Sequence, residues 1–286
     1  MIRKLIIFFT VIGVTCFFST CAKEDEMGSS IFDTTPAIRT ELDQWIYQNL
    51  TIPYNLEITY KWKYTESELT RNLTPPKELQ AEGFIKNLIT EGWINPYTKI
   101  AGLNFFNKYS PKQIFLVGTT AYNSTGTITL GTAQAGRKVV IYEVNQFDTK
   151  NKDRLRRYMK TIHHEFTHIV NQKVNYDVEF ELVTSGGYRS DWNNATEAWC
   201  RENGFITPYS SASPTEDFAE MTAMMLTNSA SEWRNLIDVN PSSAQAVALL
   251  QKKEELVVQY FKNNWGFDMY DLQAEMENAI IKITNQ

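Results

Sequence analysis

Residues 163–168 read His163-His164-Glu165-Phe166-Thr167-His168, and this run holds all three histidines of the 286-residue chain. Inside it lies an H-E-x-x-H pattern: His164, Glu165 and His168. On a helix, positions i and i+4 sit one turn apart on the same face. Two imidazoles placed this way can each give one nitrogen to a single zinc ion. A Glu beside the first can take a proton from water that the metal acidifies. The flanking residues support the helix. With residues 154–172 taken as helical at about 100° per residue, Leu155, Met159, Ile162, Phe166 and Val170 fall within about 60° of a common direction. His164 and His168 point the opposite way, with Glu165 between them and the stripe, so the stripe can pack into a core while the histidines face a cleft. His163 falls at the margin of the apolar stripe and reads as structural. A helix carrying satisfied or exposed histidines is the competing reading, and for a lone His it would be preferred. The complete motif on one helix face favours the metal.

Outward from this helix, the composition sets limits. Hydrophobic residues make up 43% and charged residues 21%, ordinary for a globular protein. The net charge of −5 gives no reason to expect nucleic acid as a partner. The first residues read as a targeting segment. Arg3 and Lys4 precede an apolar run from Leu5 to Phe18, too short for a spanning helix of about 20 residues. Phe18-Ser19-Thr20-Cys21 resembles the end of a bacterial lipoprotein signal, so residues 1–20 are expected to be the signal peptide and Cys21 the lipidated residue. An ordinary secretory signal is the alternative. Residues 21–35, with the acidic Glu24-Asp25-Glu26 and a Gly/Ser stretch, read as a flexible tether. Cys200 is then the one cysteine of the mature body, which excludes an internal disulfide there.

The rest of the chain suggests an α+β fold over 36–286. A helix is expected over 37–49, a strand over 53–63, a helix from Pro75-Pro76 to about Glu91 and a short helix over 97–108. Strands are expected over 113–118, 125–131 and 137–144. This gives an N-terminal lobe of about 36–150 with a mixed sheet, followed by the motif helix at 154–172. Residues 174–210 look mostly irregular. Helices over 215–228, 242–263 and 268–283 complete a mainly helical lobe at 173–286, with Ser242 or Ser243 capping the long one.

A catalytic zinc takes three protein ligands and keeps one position open. No further histidine exists to serve as the third. Cys200 is possible, but a carboxylate is the leading option. The segment Pro214-Thr215-Glu216-Asp217-Phe218-Ala219-Glu220 offers the best one. On a helix, Glu216 and Glu220 share a face while Phe218, Met221 and Met225 point to the core. Small Ala219 and Ala223 let this helix approach the histidine helix. One Glu can bind zinc while the other supports a ligand His. Glu197 is the runner-up ligand.

His164-Glu165-x-x-His168 followed by Glu216-x-x-x-Glu220 resembles the gluzincin pattern of metallopeptidases. The stretch Tyr209 to Glu220 is similar to the matching part of the catalytic domain of anthrax lethal factor, as is the 48-residue separation of His168 from Glu216. With the leader, the chain resembles the substrate import-associated zinc metallohydrolase lipoproteins, zinc-binding metallopeptidases found beside TonB-dependent nutrient importers. That resemblance implies a zincin-like fold and a peptidase with one Zn2+ per chain, held by His164, His168 and Glu216. It implies Glu165 as general base, Tyr209 as a catalytic hydroxyl and Glu220 behind a ligand. The implied partners are a peptide or protein substrate, the membrane through an N-terminal lipid anchor, and a TonB-dependent importer complex. The implied location is the outer membrane of a Gram-negative bacterium, exposed at the cell surface. A non-catalytic substrate-binding or accessory lipoprotein of the importer is the alternative.

Overall fold

Two short apolar runs build the centre of the sheet. In the computed structural model, which describes residues 39–63, 71–124, 127–134 and 136–286, Gln113–Leu116 forms β2 and Lys138–Ile141 forms β6. They pair in parallel, flanked by β1 (Glu57–Thr59), parallel to β2, and β5 (Gly131–Gln134), antiparallel to β6. The order is β1-β2-β6-β5, which leaves β5 at an edge. A separate two-stranded ribbon joins β3 (Ala121–Tyr122) to β4 (Ile128–Thr129). Alternate residues of the central strands enter different cores, as expected for strands covered on both faces. Ile114, Leu116, Val139 and Ile141 join the main core, whereas Phe115 and Val140 pack with Val117, Ala121 and Tyr142.

Helices supply most of the remaining mass. In chain order they are α1 (Glu41–Ile46), α2 (Glu78–Gly83), α3 (Asn95–Ile100), α4 (Leu103–Tyr109) and α5 (Lys152–Asn171). They continue with α6 (Glu179–Val183), α7 (Glu197–Glu202), α8 (Pro214–Thr227), α9 (Ala230–Arg234), α10 (Ala244–Trp265) and α11 (Met269–Thr284). Helix α5 carries the histidine motif. Asn151 caps it by accepting from the Arg154 N–H at 3.0 Å. Leu155, Tyr158, Met159, Ile162, Phe166, Ile169 and Val170 are buried, the stripe the sequence predicts. Phe166 packs edge-on against Trp93, Tyr97 and Phe105. Helix α8 lies against α5, and its Ala219 and Ala223 are fully buried. Residues 41–286 form one compact unit, and no helix among the described residues is long and apolar enough to cross a membrane.

The α+β class with a mixed sheet holds, but several elements differ from the sequence reading. The strand expected over 53–63 shrinks to β1, because Pro53 and Tyr54 end a helical turn and Asn55 is left-handed at φ 51°. The helix expected from Pro75 begins at Glu78 and passes into an eleven-residue π-helical stretch, Phe84–Ile94, which a 3.6-residue period does not anticipate. The helix expected over 97–108 is two, α3 and α4, separated by Gly102 at φ 87°. Strand β4 is shorter than the one expected over 125–131. The segment 174–210 is mostly irregular, as expected, with two short helices, α6 and α7, inside it. Helix α9 was not anticipated, although Ser229 and Glu232 form a capping box at its start. Ser243 caps α10, and Gly266 at φ 78° ends it. The expected signal peptide and tether, with Cys21, lie outside the described residues.

Candidate metal centre

The motif face of α5 meets the first turn of α8 at three ligand atoms. His164 Nε2 lies 3.0 Å from His168 Nε2. Glu216 Oε2 lies 2.9 Å from the first and 3.2 Å from the second. The local sequence places the carboxylate there. Ser213 accepts from the Glu216 N–H and Pro214 opens the helix, so Glu216 sits in the first turn of α8. Ligands about 2.0–2.1 Å from a tetrahedral ion are separated by about 3.3 Å, so these three atoms fit one face of a zinc tetrahedron. Two imidazole nitrogens and one carboxylate oxygen are also a catalytic zinc donor set. Among the described residues, these three are the group of His, Cys, Asp and Glu that converges in this way.

The electrostatics favour a cation. Burial opposes a charge on His164, but its contacts with Glu216 and Glu220 outweigh burial and push its pKa up to about 9. Burial likewise opposes ionisation of Glu216, yet His164 and His168 hold its carboxyl well below the usual range.

Behind the centre, Glu220 supports His164. Its Oε1 lies 3.0 Å from His164 Nδ1, off the line of an ideal hydrogen bond. Its Oε2 accepts from Thr207 Oγ1 at 2.6 Å and lies 2.7 Å from Lys160 Nζ. Burial works against its ionisation, but Lys160 and His164 prevail and hold its pKa down to about 2. This anion turns His164 so that Nε2 faces Glu216.

Glu165 borders the centre from the β5 side. Burial raises its carboxyl above the usual range, against the pull of His164 and His168 and of the Ala133 N–H on β5. The close approach of β5 to α5 depends on Gly131. A Cβ there would lie 2.4 Å from Thr161 Cγ2 and 3.5 Å from Glu165 Cγ. Gly131→Ala is therefore expected to destabilise the fold by about 1–3 kcal/mol through overpacking. Urea unfolding checks this, and an unchanged midpoint would contradict the tight approach.

Tyr209 stands on the other side, its ring 5.7 Å from that of His164 and 4.8 Å from that of Trp192. Burial and the neighbouring Glu216 carboxylate raise its pKa, so the phenol keeps its proton and remains a donor. His163 faces away, fully buried 5.8 Å from the Tyr97 ring. Burial lowers its pKa to about 3, which leaves it neutral. Of the alternative ligands, Glu197 is exposed and paired with Arg201, and Cys200 is buried elsewhere. Two cavities border the centre, of about 420 and 820 Å³, and both are lined by Gly131, His164, Glu165 and Tyr209.

A family model described as "Putative zinc-binding metallo-peptidase" matches residues 35–270. The chain belongs to this family. A solved structure carrying the same description, from Bacteroides caccae ATCC 43185 at 2.10 Å, is similar with a TM-score of 0.74 and 34% identity. The match covers 90% of this chain and 98% of that one. No curated protein matches.

Sequence reasoning on this metallopeptidase-family chain missed Lys160 and Thr207, the partners of Glu220. Lys160 had a signal, since it sits one turn before His164 on α5 and so can reach what lies behind that ring. Thr207 had none, because it comes from the loop before α8.

Proposed function

We propose that this chain hydrolyses peptide bonds at a zinc ion held by His164, His168 and Glu216, one per chain. The observation that carries the reading is the set of three donor atoms within 2.9–3.2 Å of one another, with a buried carboxylate beside them that binds none of them. Zinc held there supplies a Lewis acid and makes water acidic enough to lose a proton near neutral pH. Glu165 would take a proton from the attacking water and return it to the leaving amine. The Tyr209 hydroxyl donates to the oxygen that gains negative charge in the tetrahedral transition state. Glu220, tied by Lys160 and Thr207, holds His164 in orientation throughout. The intact Glu165 also supports catalysis over a structural metal, since a structural site needs no base and normally has four protein ligands.

The test pairs metal content with cleavage. Soluble protein from about residue 31 should bind one zinc and cleave members of a peptide library. Glu216→Ala should lose most of its zinc under mild chelator competition, because one of three ligands is gone. Unchanged zinc in that variant would assign the third ligand elsewhere. Bound zinc with no cleavage would favour the accessory-subunit reading.

The leader supports a further part of the proposal: lipidation at Cys21 and an outer-membrane, surface-exposed location serving nutrient import. Proteinase treatment of intact cells tests the exposure, and full protection of the protein would place it inside.

A further inference from the structure

The two cavities beside the metal centre differ in charge. One runs along the N-terminal half of the α5 motif face and is lined by Arg157, Lys160, Thr161, Glu220, Leu130 and Trp192. The other runs past His168 and is lined by Asn171, Gln172, Asn175, Glu181 and Glu216, with no Lys or Arg. We infer that the cavity on the Lys160 side is a subsite for an acidic side chain, Asp or Glu, of the bound peptide. This rests on the peptidase reading and names the residue that the substrate presents there.

The two cations are three residues apart on α5 and therefore on one face. Each has a carboxylate partner, but that partner lies deeper. The Arg157 side chain is 36% exposed and its partner Glu143 is 6% exposed. Lys160 is 30% exposed and its partner Glu220 is 3% exposed. Glu143 accepts from Arg157 at 2.6 Å with one oxygen and from Thr120 at 2.6 Å with the other. Glu220 is engaged by His164, Thr207 and Lys160. The guanidinium commits one N–H to Glu143, and the ammonium has one carboxylate partner. The other donors need acceptors when a peptide displaces water, and a carboxylate supplies them through charge-assisted hydrogen bonds.

The remaining charge near this cavity does not cancel the preference. Glu165 lines both cavities and is directed to the reaction, and Glu220, which lines this one, is 3% exposed and already held by His164, Thr207 and Lys160. Zinc, when bound with Glu216 as its one carboxylate ligand, would add net positive charge at the inner end. Leu130 and Trp192 offer apolar surface to the methylenes of a Glu side chain. A Lys or Arg side chain in the same place would meet two like charges, and a large apolar one would desolvate them without compensation.

The experiment uses zinc-loaded protein and a peptide library, reading residue frequencies on either side of each cleaved bond. Asp and Glu should be enriched at one position flanking that bond. The ratio of kcat/KM for a Glu peptide over its Gln counterpart should fall about 10- to 100-fold in Arg157→Gln, the loss of a hydrogen bond to a charged group. Arg157→Glu should move the preference toward Lys and Arg. In Glu165→Gln protein, titration read by Trp fluorescence should show tighter binding of the Glu peptide than of the Gln peptide, with the difference fading at high salt. Cleavage with no acidic preference, or a preference unmoved in Arg157→Gln, overturns the subsite and leaves the peptidase standing. No cleavage of any peptide by the zinc-loaded chain overturns both.

Discussion

Glu165→Gln is expected to lower kcat by about 10²- to 10⁴-fold while zinc stays bound, the range contributed by a positioned general base. The substitution preserves size and shape, so the packing of β5 against α5 through Gly131 should persist. The amide cannot accept the proton that a carboxylate takes. Glu165 is suited to that task because burial raises its carboxyl above the ordinary range while the two histidines and the Ala133 N–H keep it from rising further. A carboxylate raised above its ordinary range is a stronger base and accepts a proton more readily. The metal should remain, since the three converging donor atoms belong to His164, His168 and Glu216. Turnover on a single cleaved peptide and zinc per chain, measured on the same sample, check both halves. Retained turnover would remove Glu165 as the base. Lost zinc would show that its charge is needed to hold the ion.

What could be read before the structure depended on how local the signal was. The histidine helix was legible because one amphipathic period and one motif describe it completely, and its buried face is the predicted stripe. Glu216 and Glu220 were legible for a similar reason: a first-turn Glu and another one turn later must share a side of α8. Tyr209 came from resemblance, and the fold brings its ring beside His164. The groups that finish the site were not legible. Thr207 reaches Glu220 from a loop, and the Gly131 edge strand reaches α5 from another part of the chain. Both are long-range packing facts without a periodic trace. The π-helical run at Phe84–Ile94 was hidden because its apolar residues satisfy a 3.6-residue pattern nearly as well. The short strands were overextended because β-branched and aromatic residues continue past the point where Asn55 and the loops end the pairing.

The largest stability effect should come from a residue outside the chemistry. Lys253 lies fully buried on α10, with Nζ 2.5 Å from Asp217 Oδ2 and 2.7 Å from the Gly204 carbonyl oxygen. The Tyr188 hydroxyl donates to the same Asp217 oxygen at 3.0 Å, and the ammonium lies 4.3 Å from the centre of the Phe205 ring. Burial pushes the Asp217 carboxyl up to about 6, against the pull of Lys253. Taking away the ammonium leaves a carboxylate with almost no solvent and only the tyrosine as a side-chain donor. Lys253→Met should therefore destabilise the protein by about 3–5 kcal/mol. For a domain of this size, where each kcal/mol moves Tm by about 2–4 °C, that is a fall of roughly 6–20 °C in thermal unfolding. The cause can be separated from simple loss of packing. Combined with Asp217→Leu, Lys253→Met should recover much of the loss, because both charges then leave the core together. If the double variant is as unstable as the sum of the two singles, the pair is not the source. Asp217 directly follows Glu216, so this ion pair also anchors the first turn of α8 that presents the metal-facing carboxylate. The single variant should accordingly bind zinc more weakly even at temperatures where it remains folded, measured by competition with a chelator. A variant that loses stability but holds zinc as tightly as the wild type would show that the first turn of α8 keeps its position without the buried pair.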